Sequence, residues 1–417
     1  MKIAIVNGRV VDPKSGFDQA AGLFLAEGKI VGIGAAPAGF VAERTLDAAG
    51  CVVCPGLVDL AARLKGIDSE LQAAVAGGVT TLVSPPDVNP VLDEPELVER
   101  LVRRAAECGL AKVLPLGALT QGLGGERLAE LAGLKKAGCI AFSQGKKAVT
   151  DTYALLRALE YAATFGFAVW LQPEDYWLAR NGVAHDGEVA SRLGLTGIPV
   201  AAETIAIATM VQLAAETGVR MHLRQLSSAA GMLMVEHARQ SGLAISCDVS
   251  VHHLHLTEMD IGYFDSRARF DPPLRDQQDR AGLRSGALRG IAAICSDHTP
   301  TDEDDKQLPF AEAKPGATGL ELLLPLTLKW AEEDKVPLAT ALARITSDPA
   351  AICGSQAGQL AVGAPADVCV FGPNEEWQLS AGTLKSRGKN TPYLGHRLSG
   401  RVRWTLVDGK PVYAADC

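Results

Sequence analysis

Short apolar runs recur along most of the chain, and each is followed by a polar or glycine-rich segment and then by a stretch with helical periodicity. Buried parallel strands have continuous apolar sequences, because helices cover one face of the sheet and packed side chains fill the other. Eight such units predict a TIM (β/α)8 barrel. A doubly wound sheet is the alternative, but no Gly-x-Gly-x-x-Gly follows an early strand. The candidate strands are Val52–Leu60, Val79–Ser84, Lys112–Ala118, Cys139–Ser143, Ala168–Gln172, Arg220–Gln225, Ala244–Val249 and Ala292–Ser296.

The two ends of the chain have a different sequence pattern, in which short runs of β-forming residues alternate with turn pairs such as Asn7-Gly8 and Asp408-Gly409. Both ends therefore predict short strands. We expect residues 1–51 and 355–417 to form one composite β-rich satellite domain, a small β-sandwich. Residues 52–354 would form the barrel domain.

Composition narrows the function classes. Aromatic residues make up 5% of the 417 residues and the net charge is −8, which disfavours binding to nucleic acid. No apolar run has the length of a membrane span, and no signal-peptide pattern opens the chain. Nine scattered cysteines do not suggest a disulfide framework, and Cys51 and Cys54 are expected to be inert. We expect a cytoplasmic protein.

Several short segments occur in a characteristic order at the predicted strand ends. They are Pro55-Gly56-Leu57-Val58-Asp59, Asn89-Pro90-Val91-Leu92-Asp93, Ala141-Phe142-Ser143, Ser246-Cys247-Asp248-Val249-Ser250-Val251-His252-His253-Leu254, Asp271-Pro272-Pro273-Leu274-Arg275 and Ser296-Asp297-His298-Thr299-Pro300. Over nearly its whole length the chain thereby resembles the dihydroorotases of the amidohydrolase superfamily. The resemblance implies a barrel whose mouth holds one or two zinc ions, which activate water for the hydrolysis of a cyclic amide.

The zinc ligands that the resemblance implies are replaced in this chain. The two histidine positions after the first strand carry Ala61 and Arg63, and the bridging acidic or carbamylated-lysine position carries Gln144. The histidine positions after the fifth and sixth strands carry Gln172 and Gln225. Only Asp297, the proton shuttle of the family, is retained. A lone carboxylate cannot hold zinc against water, and Arg63 places a fixed positive charge where a dication would sit.

Positions that contact substrate in the family are altered as well. Lys65 occupies a position where the family has an arginine, and Asp87 and Asp271 occupy positions where it has asparagines. Two additional carboxylates should repel an anionic substrate such as dihydroorotate. Because a buried carboxylate needs a counter-charge, we expect Asp297 to be a vestigial group that Arg63 reaches across the barrel mouth.

A histidine cluster offers an alternative metal site. His253 and His255, together with His222 and Asp297, could hold a relocated zinc ion, whereas His252 and His253 occur in the family as residues that bind no metal. A structural role is the expected one for these histidines. Lys146 and Lys147 lie just beyond the carbamylated-lysine position and are expected to be surface charges.

The resemblance is strongest to inactive dihydroorotase-like chains that some bacteria assemble with aspartate carbamoyltransferase. It implies a pseudoenzyme with no cofactor, whose partner is the aspartate carbamoyltransferase catalytic chain and which is part of an oligomer. The alternative is an active, zinc-dependent cyclic amidohydrolase with a rearranged site. A sensor that binds a small molecule at the barrel mouth is a third possibility.

Overall fold

The computed structural model describes residues 1–415, in which strands at both ends enclose a long series of strand–helix units. The first part contains β1 Lys2–Asp12, β2 Phe17–Ala26, β3 Lys29–Gly34, β4 Arg44–Asp47 and β5 Val52–Pro55. The middle part contains β6 Leu57–Asp59, α1 Ile67–Ala76, β7 Val79–Ser84, α2 Pro95–Cys108, β8 Lys112–Ala118, α3 Leu131–Lys136, β9 Ala141–Ser143, α4 Thr152–Thr164, β10 Ala168–Leu171, α5 Tyr176–Ala179, β11 Ala184–His185, α6 Glu188–Leu193, β12 Gly197–Ile198, α7 Val200–Thr217, β13 Arg220–Leu223, α8 Ala229–Gln240, β14 Ile245–Ser250, α9 Gln277–Leu288 and β15 Ala292–Cys295. The last part contains α10 Glu303–Gln307, α11 Leu323–Glu333, α12 Leu338–Ala343, α13 Ser347–Cys353, β16 Val368–Gln378, β17 Arg397–Val407 and β18 Lys410–Ala414.

The predicted barrel is confirmed. Eight parallel strands follow one another in the order β6-β7-β8-β9-β10-β13-β14-β15, with helices on the outside. Small and bulky apolar side chains fill the interior, whereas a much larger core lies between the strands and the helices. This is the layered packing that continuous apolar strands require. The interior layer consists of Leu60, Ala61, Val83, Leu116, Ala141, Trp170, Ala293 and Cys295.

The barrel closes between its first and last strands through residues just beyond β6 and β15. The Arg63 amide donates to the His298 carbonyl, and the His298 amide donates to the Ala61 carbonyl, both at 2.9 Å. The buried carboxylate of Asp59 accepts from the Ser296 amide at 2.7 Å and from the Ser296 hydroxyl at 2.6 Å. A carboxylate side chain therefore joins the two strands across the seam.

Strands from both chain ends form a second sheet, in the order β18-β17-β16-β5-β1-β2-β3, with β4 paired to β1. Its apolar side chains form a separate core. Hydrogen bonds join all of these strands in a single sheet. Within residues 1–415, every helix is too short or too polar to cross a lipid bilayer.

The predicted first barrel strand, Val52–Leu60, is in fact two strands. Val52–Pro55 pairs with β1 and β16 in the end sheet, and Leu57–Asp59 pairs with β7 in the barrel. Gly56 lies between them, where a Cβ atom would come within 2.2 Å of Thr80 Oγ1. The chain therefore changes sheets at a residue that no side chain could replace without a shift.

We predict that Asp59→Asn lowers the free energy of unfolding by about 2 kcal/mol, because the amide turns a donor toward the Ser296 donors and leaves buried groups unpaired. Urea unfolding followed by circular dichroism measures the change. Asp304→Asn, at an exposed position of α10, is the control and should change stability by less than about 0.5 kcal/mol. Equal effects of the two substitutions would contradict a role of Asp59 in closing the barrel.

Candidate functional site

The residues that stand at the family's zinc-ligand positions all lie at the carboxyl ends of the barrel strands, where TIM-barrel sites are built. Ala61 follows β6, Gln144 follows β9 and Gln172 follows β10. Gln225 follows β13 and Asp297 follows β15. All five are buried. The methyl group of Ala61 belongs to the apolar interior, so this position contributes packing and no polar group to the mouth.

Arg63 lies in the mouth, and its main partner is Asp87. One guanidinium nitrogen, Nη2, is 2.7 Å from Asp87 Oδ2, and the other, Nη1, donates to Thr299 Oγ1 at 3.3 Å. The two charged side chains are only 13% and 17% exposed. Burial opposes ionisation of Asp87, but the charges of Arg63, Arg224 and Lys146 together with the Arg63 hydrogen bond outweigh it and lower the pKa of Asp87 to about 2.

The expected pairing of Arg63 with Asp297 is present in a weaker form. Nη1 of Arg63 is 4.0 Å from Asp297 Oδ1, beyond hydrogen-bonding distance. The side-chain amide of Gln225 donates to the same oxygen. Burial raises the pKa of Asp297, and Lys146 and Arg63 oppose that rise. Asp297 is thus held by a neutral amide and two cations at longer range.

The other two glutamines are tied into the walls of the mouth. Gln144 accepts a hydrogen bond from the Thr120 hydroxyl at 2.9 Å, and Gln172 donates to Asp271 Oδ1 at 3.2 Å. Each glutamine at a zinc-ligand position, Gln225 included, also keeps one side-chain atom that has no partner. Amide groups in these positions serve hydrogen bonding, since a neutral amide is a poor donor to zinc.

The altered substrate positions are also engaged by neighbouring charges. Lys65 pairs with Asp302 at 2.6 Å, outside the mouth. Asp271 is 3.5 Å from the ammonium of Lys146, which also donates to the Asp271 carbonyl. The expectation that Lys146 is a surface charge is wrong, because its side chain is only 17% exposed and forms part of the mouth. Lys147 is exposed as expected.

Arg224 is a functional candidate that the sequence analysis missed. It is fully buried, and none of its three guanidinium nitrogens has a hydrogen-bond partner within residues 1–415. Burial and the nearby charge of Arg63 lower the pKa of Arg224, while Asp87 and Asp248 oppose that effect. His222 packs against Trp170 of the barrel interior, and side chains two residues apart on a strand point to the same side. The sequence spacing of His222 and Arg224 therefore indicated a second cation in the mouth.

The histidines considered for a relocated metal site do not converge. His222 is held between Ser246 Oγ at 2.9 Å and Asp248 Oδ2 at 2.8 Å. His253 faces the Pro272 carbonyl at 3.2 Å, and His255 faces the Leu326 carbonyl at 2.8 Å. Burial lowers the pKa of both His253 and His255 to about 4. The structure therefore does not bring these side chains together with Asp297. His252 stacks on Tyr393 and packs at a tilt against Phe270, which is a packing role.

One other group of possible ligand atoms occurs within residues 1–415, at His185, Asp276 and Asp279. Its chemistry is unfavourable for a cation. Nδ1 of His185 is 3.2 Å from the guanidinium of Arg275. Both carboxylates already accept backbone amides, Asp276 from Asp279 and Asp279 from Ala229. These residues join the start of α9 to its surroundings.

Zinc does not fit the donor set at the barrel mouth. Zinc requires several imidazole, thiolate or carboxylate donors that converge on one point. The mouth offers amide groups and two guanidinium groups, those of Arg63 and Arg224, close to Asp297. Two fixed positive charges repel a dication that one buried carboxylate would have to hold.

Solved structures with the same architecture are amidohydrolases. The L-hydantoinase of Arthrobacter aurescens superimposes with a TM-score of 0.87 at 23% identity, over 99% of this chain and 96% of the hydantoinase. The dihydropyrimidinase of Brevibacillus agri superimposes with a TM-score of 0.84 at 21% identity, over 99% and 95% of the two chains. The fold is an amidohydrolase-type barrel.

Sequence comparison identifies the family more specifically than the fold does. A family model described as dihydro-orotase-like matches residues 50–230. A dihydroorotase-like protein of Pseudomonas aeruginosa is 46% identical over 418 residues, which cover 98% of this chain and 99% of that protein. A dihydroorotase of Syntrophotalea carbinolica is 39% identical over 99% of both chains. The chain belongs to the dihydroorotase-like family.

We predict a coupling of about 1–3 kcal/mol between Arg63 and Asp87 in a double-mutant cycle with Arg63→Gln and Asp87→Asn, because the pair is close and shielded from water. Urea unfolding of the four proteins gives the value. The control is a cycle on Arg9 and Asp18, which are also 2.7 Å apart but 52% and 33% exposed. Their coupling should be about 0.5 kcal/mol. A buried pair no stronger than the exposed one would show that Arg63 does not organise the mouth.

Proposed function

We propose that this chain is a non-catalytic dihydroorotase homologue that serves pyrimidine biosynthesis as a structural subunit. The observation that carries the proposal is the pair of buried guanidinium groups, Arg63 and Arg224, at the place where the family holds its metal. The membership of the chain in the dihydroorotase-like family supports the pathway.

The chemistry of hydrolysis explains why these substitutions matter. Cleavage of a cyclic amide needs a hydroxide and a group that polarises the carbonyl, and zinc supplies both in the family. Asp297 could remove a proton from water only with a nearby charge that stabilises the resulting hydroxide. Arg63 is hydrogen-bonded to Asp87 and Thr299, and Asp297 is bound by Gln225. These contacts commit Arg63 and one oxygen of Asp297 to other side chains, which disfavours a site for activated water.

The packing of the barrel supports a retained structural role. The interior, the seam at Asp59 and Ser296, and the end sheet all have continuous hydrogen bonding and buried apolar cores. A barrel that keeps this packing while its mouth changes can still present its outer surface to other proteins. In our proposal the partner is the catalytic chain of aspartate carbamoyltransferase, the enzyme that precedes dihydroorotase in the pathway.

We predict that the purified protein contains far less than one zinc per chain, and that added zinc produces no turnover of dihydroorotate or carbamoyl aspartate. Elemental analysis and an absorbance assay test the two statements. Stoichiometric zinc together with turnover would establish the alternative, an active amidohydrolase with a rearranged site.

A gain-of-metal variant is the matched control for this experiment. Replacement of Ala61, Arg63, Gln172 and Gln225 by histidine and of Gln144 by glutamate restores convergent donors around Asp297. This variant should bind zinc, and the same variant with Asp297→Asn should bind it less tightly. Zinc binding by the variant but not by the natural chain would locate the defect in the side chains and not in the backbone.

We further predict that the chain co-elutes with aspartate carbamoyltransferase of the same organism and raises the thermal stability or assembly of that enzyme. Size-exclusion chromatography with light scattering gives the mass and stoichiometry of the complex. The Asp87→Asn variant should assemble normally, because the mouth is not part of the proposed interface. Separate elution at micromolar concentrations, with unchanged assembly of the transferase, would refute the structural-subunit role.

A further inference from the structure

A crevice lies beside the barrel mouth, between α4, α5 and α7. Buried side chains of Leu155, Leu171 and Met210 form its floor. The aromatic rings of Tyr176 and Trp177 line its rim and are exposed to 46% and 65%. Small-molecule sites commonly combine an apolar floor with aromatic walls in this way.

Glu174 supplies the charged group of the crevice. It follows β10, lies two residues beyond Gln172 and is partly buried. Its carboxylate makes no hydrogen bond and no ion pair with any residue in the described part of the chain. Asp175 also lines the crevice, where its side chain caps α5 by accepting from the Leu178 amide at 2.9 Å. Two carboxylates therefore lie at the crevice, and that of Glu174 has no hydrogen bond or ion pair, since Lys146 and Arg275 act on it only at longer range.

The charges around the crevice indicate which ligand would bind. A partly buried carboxylate without a partner is stabilised by a cation that both pairs with it and shields it from water. Lys147 also lines the crevice, but it is exposed, so solvent screens its charge. The guanidinium of Arg180 already lies 5.2 Å from the centre of the Trp177 ring. The cationic end of a ligand would therefore pair with Glu174. Its apolar body would pack against the rings of Tyr176 and Trp177 and the floor of the crevice.

We propose that this crevice binds a small organic cation, with a flat apolar body against Tyr176 and Trp177 and an ammonium or amidinium group paired with Glu174. The site uses residues outside the degenerate zinc positions other than Gln172, which lines its edge. Ligand binding at the crevice does not depend on whether the mouth is catalytic. A test of this proposal can therefore fail without contradicting the proposed function, and the reverse also holds.

Phenethylamine and phenylacetate test the proposal, because they have the same ring and chain length and opposite charges. Isothermal titration calorimetry with the full-length protein should show saturable binding of phenethylamine, at least about tenfold tighter than that of phenylacetate. Benzamidine, a second flat cation, should compete with phenethylamine. Glu174→Gln should remove the preference for the amine, and Trp177→Ala should weaken binding of the amine.

Glu188→Gln, at an exposed position of α6 outside the crevice, is the matched control and should leave the affinity unchanged. Circular dichroism melts show whether each variant is folded. The proposal is overturned if neither amine nor amidine gives saturable binding, if phenylacetate binds as tightly, or if folded Glu174→Gln keeps the preference for the cation.

Discussion

Buried positive charge at the barrel mouth is the constraint on which the rest of the site depends. Arg63 and Arg224 lie close together in a region shielded from water, where like charges repel strongly. Asp87 compensates for Arg63 through a short ion pair, and Asp297 contributes at longer range. The side-chain amide of Gln225 donates to Asp297, whereas Gln144 and Gln172 bond to Thr120 and Asp271. The replacements at the zinc positions thus form a site of amides and paired charges in place of a set of metal ligands.

The fold tolerates this change because its stability has other sources. The interior of the barrel is apolar up to Ala61, and the outer core between strands and helices is much larger. The seam between the first and last strands is joined by Asp59, Ser296 and backbone hydrogen bonds near His298. These interactions involve the backbone amide of Arg63 but neither its side chain nor the glutamines at the zinc positions. The chemistry of the mouth and the integrity of the barrel are thus separable properties.

Much of the fold could be predicted from the sequence, because apolar runs and turn pairs report directly on buried strands. The division of Val52–Leu60 into two strands could not, because it depends on the pairing of the two halves with distant strands, β16 for the first half and β7 for the second. The positions of the replaced ligands followed from motif order. The partner of Arg63 did not, because the choice between Asp87 and Asp297 depends on side-chain distances of 2.7 and 4.0 Å.

The change of sheets at Gly56 has a mechanical consequence. β5 is held in the end sheet between β1 and β16, and β6 begins the barrel directly after one residue. A protein that binds the end sheet would therefore contact the chain segment that continues directly to Ala61 and Arg63. A single residue, Gly56, thus separates the end sheet from the barrel strand that leads to Ala61 and Arg63.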